Sequence, residues 1–165
     1  MDPVTVSTTI GRPREVVFDY LADIANHLEF SDHYVKDFRL TRVDSSGRGA
    51  GARFRLDAPG KDRWQDMTLV EVDRPYRIVA FGRGGKFNRV KNTTIFTLDD
   101  AGPDSTHVEV MTETEPPLPT DRIVDIITGY RGWTRRNLGK ALRRLQAILE
   151  ENEDRGPRAT VAGVL

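Results

Sequence analysis

TDRIVDIITGYRGWTRRNLGKALRRLQAILEEN, residues 120–152, is the stretch whose reading decides the fold. An advance of about 100° per residue gathers Ile123, Ile127, Tyr130, Thr134, Asn137, Leu138, Ala141, Leu145 and Ile148 into one stripe. Arg135, Arg136, Arg143 and Glu150 fall on the opposite side. The pattern predicts a single long amphipathic helix, capped by Thr120 or Asp121 after the stiff connector Pro116-Pro117-Leu118-Pro119. Most of the chain before it alternates like strands. A sheet followed by one long helix curls around that helix and leaves a cavity between them, a candidate binding site.

Working back from the helix, period-two segments are expected at 4–10, 38–42, 52–56, 63–72, 76–81, 89–98 and 106–115. Turn chemistry separates them at Asp44-Ser45-Ser46-Gly47-Arg48-Gly49, Pro59-Gly60-Lys61-Asp62, Asp73-Arg74-Pro75, the Gly-rich 82–86 and the Asp- and Gly-bearing 99–104. Between the first two strands, Pro13 suits the first position of a helix whose apolar face is Val16, Val17, Tyr20 and Leu21. A second short helix, capped by Asp23, is expected over 23–30. Connections this short make the strands antiparallel neighbours. The fold class is therefore α+β: a curved antiparallel sheet of about seven strands, two short helices after strand 1, and the closing helix. Residues 1–152 form one domain, and 153–165, without periodicity, are expected to be a disordered tail.

Composition narrows the function. The 165 residues carry 25 basic and 25 acidic side chains, a formal net charge of zero, which argues against a nucleic-acid partner. With no cysteine, thiolate catalysis, disulfides and Cys-ligated zinc are excluded, and a cytoplasmic location is expected. The opening Met1-Asp2-Pro3 does not read as a secretory signal, and no run approaches the roughly 20 apolar residues of a membrane span, so stable insertion is not expected.

The order of elements and four short motifs resemble the START-like (SRPBCC) superfamily with its helix-grip fold. The motifs are Arg12 through Asp23 (RPREVVFDYLAD) after the first strand, GAGARF at 49–54, VEVDRPY at 70–76 and LGKALRRL at 138–145. The chain looks most like the small bacterial members described as polyketide cyclase/dehydrase or lipid-transport-like. That resemblance implies a deep apolar cavity between sheet and helix, used in relatives for lipids, sterols, polyketides or plant hormones, with chemistry in a minority. It implies no shared catalytic motif; neither a metal nor a cofactor is expected.

Alternation nominates the cavity-facing side chains. Counting by twos from Val70 and Val72 puts Trp64, Asp66 and Thr68 on the inner face. Phe96 and Leu98 bring Asn92 and Thr94 with them, and Val108 and Val110 bring Thr112 and Thr114. A one-residue slip reverses such an assignment, and a bulge is enough to cause one. Tyr130, Trp133 and Asn137 stand at successive turns of the long helix as wall candidates. Phe30, His33 and Tyr34 are gate candidates at the pocket mouth, a placement drawn from the resemblance.

Asp66, as a carboxylate near an apolar pocket, is a candidate acid or base, yet Arg53, Arg55 and Arg63 are at hand to pair with it as an ordinary rim ion pair. His27 and His33 near Glu29 and Asp32 lack metal-site spacing and read as solvated loop histidines. Arg131, Arg135, Arg136, Lys140, Arg143 and Arg144 read as a solvated helix face, with an anionic lipid surface or acidic partner as the minority reading.

The expected function is binding of a hydrophobic or aromatic small molecule, by a monomer or homodimer. A polyketide cyclase/dehydratase using Asp66, Asn92 or Tyr130 is the enzymatic alternative. A protein-interaction domain with a collapsed cavity is the third.

Overall fold

The computed structural model describes residues 2–60 and 63–164; the predicted turn at 59–62 lies partly outside them, as do Met1 and Leu165. The chain runs β1 (Val4–Ile10), α1 (Arg14–Ala22), a 3-10 turn (Ile24–Asn26), α2 (His27–Ser31), β2 (Val35–Leu40), β3 (Gly51–Leu56) and β4 (Arg63–Asp73). It continues with β5 (Arg77–Gly84), β6 (Val90–Gly102), β7 (Ser105–Glu115), α3 (Pro119–Ile127), α4 (Tyr130–Glu151), β8 (Ala159–Thr160) and β9 (Gly163–Val164). Seven strands make one antiparallel sheet in the order β1-β7-β6-β5-β4-β3-β2. This is the helix-grip arrangement expected from the sequence, with α4 held inside the curl. No helix among the described residues is long and apolar enough to cross a membrane.

Side-chain size along the inner face decides where the core is solid. At one end Ile78, Leu98 and Val108 of the sheet meet Leu145 and Ile148 of α4, all at most 2% exposed. Toward the other end the inner face thins to Ala80 and Gly82 on β5 and Thr94 and Thr112 across β6 and β7. Gly82 is required by close approach: a Cβ there would stand 1.8 Å from the Asp66 carbonyl oxygen of β4. The same helix thus packs against branched aliphatics at its C-terminal half and against small residues at its N-terminal half.

The single helix predicted over 120–152 is two. Gly129 at φ +66° turns the chain between α3 and α4, a conformation glycine adopts without steric cost. α3 starts with Pro119 at its first turn after Leu118, so neither Thr120 nor Asp121 is the cap. Ile123 and Ile127, placed by periodicity in the buried stripe, are 54% and 79% exposed. Continuity of the hydrophobic period across the glycine concealed the break. The short helix expected over 23–30 is a 3-10 turn followed by α2, and Asp23 caps it by accepting from Ala25 N at 3.1 Å.

Residues 153–164 lie against the rest of the domain. Their attachment is ionic, so no hydrophobic period announced it. Arg155 pairs with the buried Glu29, Arg158 meets Asp23 at 2.9 Å and Asn26 at 2.6 Å, and Gly156 N donates to the Glu29 carbonyl at 2.8 Å. Ala159 is buried, and the β8–β9 hairpin lies against β2.

Candidate ligand cavity between the sheet and the closing helix

A cavity of about 120 Å³ occupies the thin end of the inner face. Its floor is β4 to β7 (Gln65, Met67, Ala80, Gly82, Asn92, Thr94, Phe96, Val110, Thr112), and α4 closes it with Tyr130, Trp133, Thr134, Leu138, Ala141 and Leu142. α2 and β2–β3 supply the side wall through His27, Phe30, Ser31, Tyr34, Val35, Phe38, Phe54 and Leu56. For scale, an apolar protein cavity of about 150 Å³ stays dry and accepts a benzene ring.

Aromatic rings shape one end. Tyr130 and Trp133 stack with centroids 5.6 Å apart, and Tyr34 meets Trp133 edge-on at 5.8 Å. Burial pushes the Tyr34 and Tyr130 phenols above the ordinary tyrosine value, the Arg63 charge beside Tyr130 partly opposing this, so both are neutral hydroxyls. Arg63 lies over the Tyr130 ring at 4.0 Å and binds Asp125 of α3 at 2.5 Å, both side chains buried. This pair fixes the junction of α3 and α4 to β4.

The polar groups on the floor are largely satisfied by one another. Thr94 and Thr112, directly opposite across β6 and β7, hydrogen bond at 3.1 Å, and Thr114 donates to Asn92 Oδ1 at 3.1 Å. Such cross-strand pairs are worth roughly 0.2–1 kcal/mol each and remove much of the cost of polar groups in a half-buried place.

Nine of the twelve residues nominated from the sequence border the cavity: Phe30, Tyr34, Asp66, Asn92, Thr94, Phe96, Thr112, Tyr130 and Trp133. The register read for β6 and β7 holds. That for β4 does not, because a bulge shifts the pairing between Leu69 and Glu71. Val72 packs toward the core, but across the bulge the inner residues become Leu69, Met67, Gln65 and Arg63. Trp64 and Thr68 are therefore on the outer, exposed side. Asp66 touches the cavity margin while its carboxylate takes Arg53 at 3.0 Å, each about 40% exposed, which is the rim ion pair anticipated. Asn137 also lies outside the cavity; its amide donates to Trp133 O one turn back at 2.9 Å.

The histidines differ from the solvated loop residues expected. His27 is 5% exposed, lines the cavity between Phe30 and Phe96, and its Nε2 is 2.7 Å from the Leu21 carbonyl. Only a protonated Nε2 can serve that acceptor, which leaves Nδ1 as the acceptor of a neutral ring. Desolvation holds its pKa below the ordinary value. His33 Nδ1 is 3.1 Å from Arg144 Nη1, always a donor, so Nδ1 accepts and Nε2–H donates to Asn137 O at 3.2 Å. Burial and the Lys140 and Arg144 charges keep it neutral. Nε2 of His27 is thus spent on Leu21, and both ring nitrogens of His33 on Asn137 and Arg144. Arg144, expected on the solvated face, is buried and also binds Asp32 and Asp154.

Sequence reasoning missed His27, Ser31, Gln65 and Met67 as cavity residues. The two on α2 follow a 3-10 turn whose pitch hides the facing, and the two on β4 were lost to the bulge. No curated protein sequence matches this chain. Among solved structures, a START superfamily protein from Mycobacterium smegmatis superposes with TM-score 0.64 at 18% identity, covering 89% of this chain and 96% of that one. TTHA0849 from Thermus thermophilus gives 0.70 at 15% identity, with 90% and 97% covered. Ginseng major latex-like protein 151 from Panax ginseng gives 0.61 at 13%, again covering 90% and 97%. Identities this low speak for the fold alone. The family described as polyketide cyclase / dehydrase and lipid transport matches residues 1–150, and the chain belongs to it.

Proposed function

We propose that this protein binds a hydrophobic or aromatic small molecule, of the lipid or polyketide kind, in the cavity between the sheet and α4. The observation that carries the reading is the contrast along one inner face. Branched aliphatics fill the far end, whereas Ala80, Gly82 and two threonines leave space under Tyr130 and Trp133. A chain under selection for stability alone fills such a space, because an empty cavity costs about 24 cal/mol per Å³. The neutral phenols and stacked rings favour flat or apolar ligands, and Nδ1 of His27 is the acceptor available to orient one.

The cyclase/dehydratase alternative receives less support. Of its three nominated groups, Asp66 is taken up by Arg53 and Asn92 by Thr114, leaving Tyr130 as a neutral donor. Binding requires only what the cavity walls offer. We assign this activity to the cytoplasm on the absence of cysteine.

Native mass spectrometry of the freshly purified protein tests the reading. The expected spectrum contains a non-covalent adduct lost on denaturation, and organic extraction yields an apolar or aromatic compound. A spectrum of bare protein only, together with no uptake of added fatty acids or aromatic polyketides, would contradict it.

A further inference from the structure

α3 is built the wrong way round for a helix packed on a protein core. Its inward side carries Asp121 and Asp125, one turn apart, and its outward side carries isoleucines. Asp125 is 4% exposed and bound to Arg63; Asp121 is held by Arg89 at 3.1 Å. Ile123, Ile126 and Ile127 are 54%, 73% and 79% exposed, spaced three and four apart so that they share one face. A surface helix ordinarily shows the reverse pattern.

The neighbouring hairpin loop repeats the anomaly. Phe87 follows Gly85 and Lys86 at the β5–β6 connection with φ +59°, a region that L residues enter at steric cost, and its ring is 82% exposed. Arg89 and Arg63 join this loop and β4 to α3, and Lys86 and Val124 border the same groove, so Phe87 and the isoleucines belong to one end of the molecule. That end is also where Tyr130 and Trp133 close the cavity.

The charges around the patch select its occupant. Lys86 borders one groove with Val124, and Arg122 and Arg131 border another with Ile126, all three exposed; apart from the acids of α3, Asp2 is the acid that borders these grooves. The acids of α3 itself are turned inward and neutralised. A second copy docking by the same face would set Arg122 and Arg131 of two chains against each other, a like-charge contact that opposes association. An apolar helix face rimmed by cations instead suits the headgroup layer of an anionic bilayer.

We propose that α3 and the Phe87 loop form a docking face for an anionic lipid surface, seating the protein with its cavity end toward the membrane. Ile123, Ile126, Ile127 and Phe87 enter the headgroup boundary, and Lys86, Arg122 and Arg131 contact lipid phosphates. The docking is peripheral and reversible, and it does not depend on the identity of any cavity ligand.

Co-sedimentation with vesicles of phosphatidylglycerol and phosphatidylcholine, against vesicles of phosphatidylcholine alone, tests this. Wild-type protein is expected to bind the anionic vesicles at least tenfold better, and raised salt should release it. The triple variant I123S/I126S/I127S and the single variant Phe87→Ser should each lose tenfold or more, and R122E/R131E should remove the preference for anionic lipid. All four side chains of the first two variants are exposed, so thermal midpoints should stay within a few degrees of wild type. No binding to anionic vesicles, or equal binding by the triple variant when folded, overturns the proposal. So does a stable wild-type dimer that the triple variant dissolves, since that result gives the face to a second copy.

Discussion

α3 and α4 were one helix to the eye and are opposites in the molecule. α4 buries Ala141, Leu142, Leu145 and Ile148 against the sheet, while α3 turns Ile123, Ile126 and Ile127 to solvent. α4 is fastened mainly by apolar area; α3 is fastened by two ion pairs at its inner side. Hydrophobic periodicity reports which residues share a face, and not what that face meets. A left-handed glycine at 129 is enough to rotate one stretch of the period away from the core that the other stretch covers.

The comparison can be broken first at Asp125. Replacing it by alanine strands the Arg63 guanidinium in a buried site and is expected to cost about 3–5 kcal/mol in urea unfolding. The double variant R63M/D125L should recover most of that loss, because well-packed apolar residues often match a buried ion pair. If Asp125→Ala is neutral, α3 is not held as described. Next, Leu145→Ala in α4 should cost about 2–5 kcal/mol, whereas Ile127→Ala in α3 should stay within about 0.5 kcal/mol. Equal losses would mean that α3 packs its isoleucines on something after all.

A smaller effect concerns pH. His33 ties α2 to α4 as a neutral ring, and His27 is neutral beneath the cavity, each with its pKa held below the ordinary 6.5. The unfolded chain takes up these protons at higher pH than the folded one does. Stability is therefore full above about 6.5, falls as pH drops through that value, and levels off only below the folded-state values. The melting temperature should fall between pH 7 and 5.5, with a shallower slope in His27→Gln and His33→Asn. A slope unchanged in both variants would remove the histidines from the account. The ion pairs holding α3 involve no histidine, so hydrogen exchange in α3 should change less over the same interval.

Most of the fold was legible because it rests on repeated local signals: alternation, turn chemistry and one 3.6-residue period. The lining of the candidate cavity was legible wherever those signals ran uninterrupted. Asn92, Thr94 and Phe96 on β6 and Thr112 on β7 were placed correctly, since no bulge interrupts those strands between their apolar anchors and the cavity. Trp64 and Thr68 were inverted because the bulge near Val70 inserts one residue and leaves no mark in composition. His27 was invisible for another reason: it follows a 3-10 turn whose pitch hides its facing, and Phe96, which packs on its ring, lies far along the sequence. The docked tail follows the same rule, for Arg155 and Arg158 find Glu29 and Asp23 across more than a hundred residues of sequence.

The central claim, a cavity that takes up an apolar molecule under Tyr130 and Trp133, has a built-in reporter. The chain has two tryptophans, so Trp64→Phe leaves Trp133 as the only indole. Titrating that variant with 2-naphthol should give a saturable change in Trp133 emission. Adding Ala80→Leu, which fills the cavity from β5, should weaken the midpoint at least tenfold while the protein stays folded. A non-saturable signal, or the same midpoint with Leu at position 80, would contradict the claim.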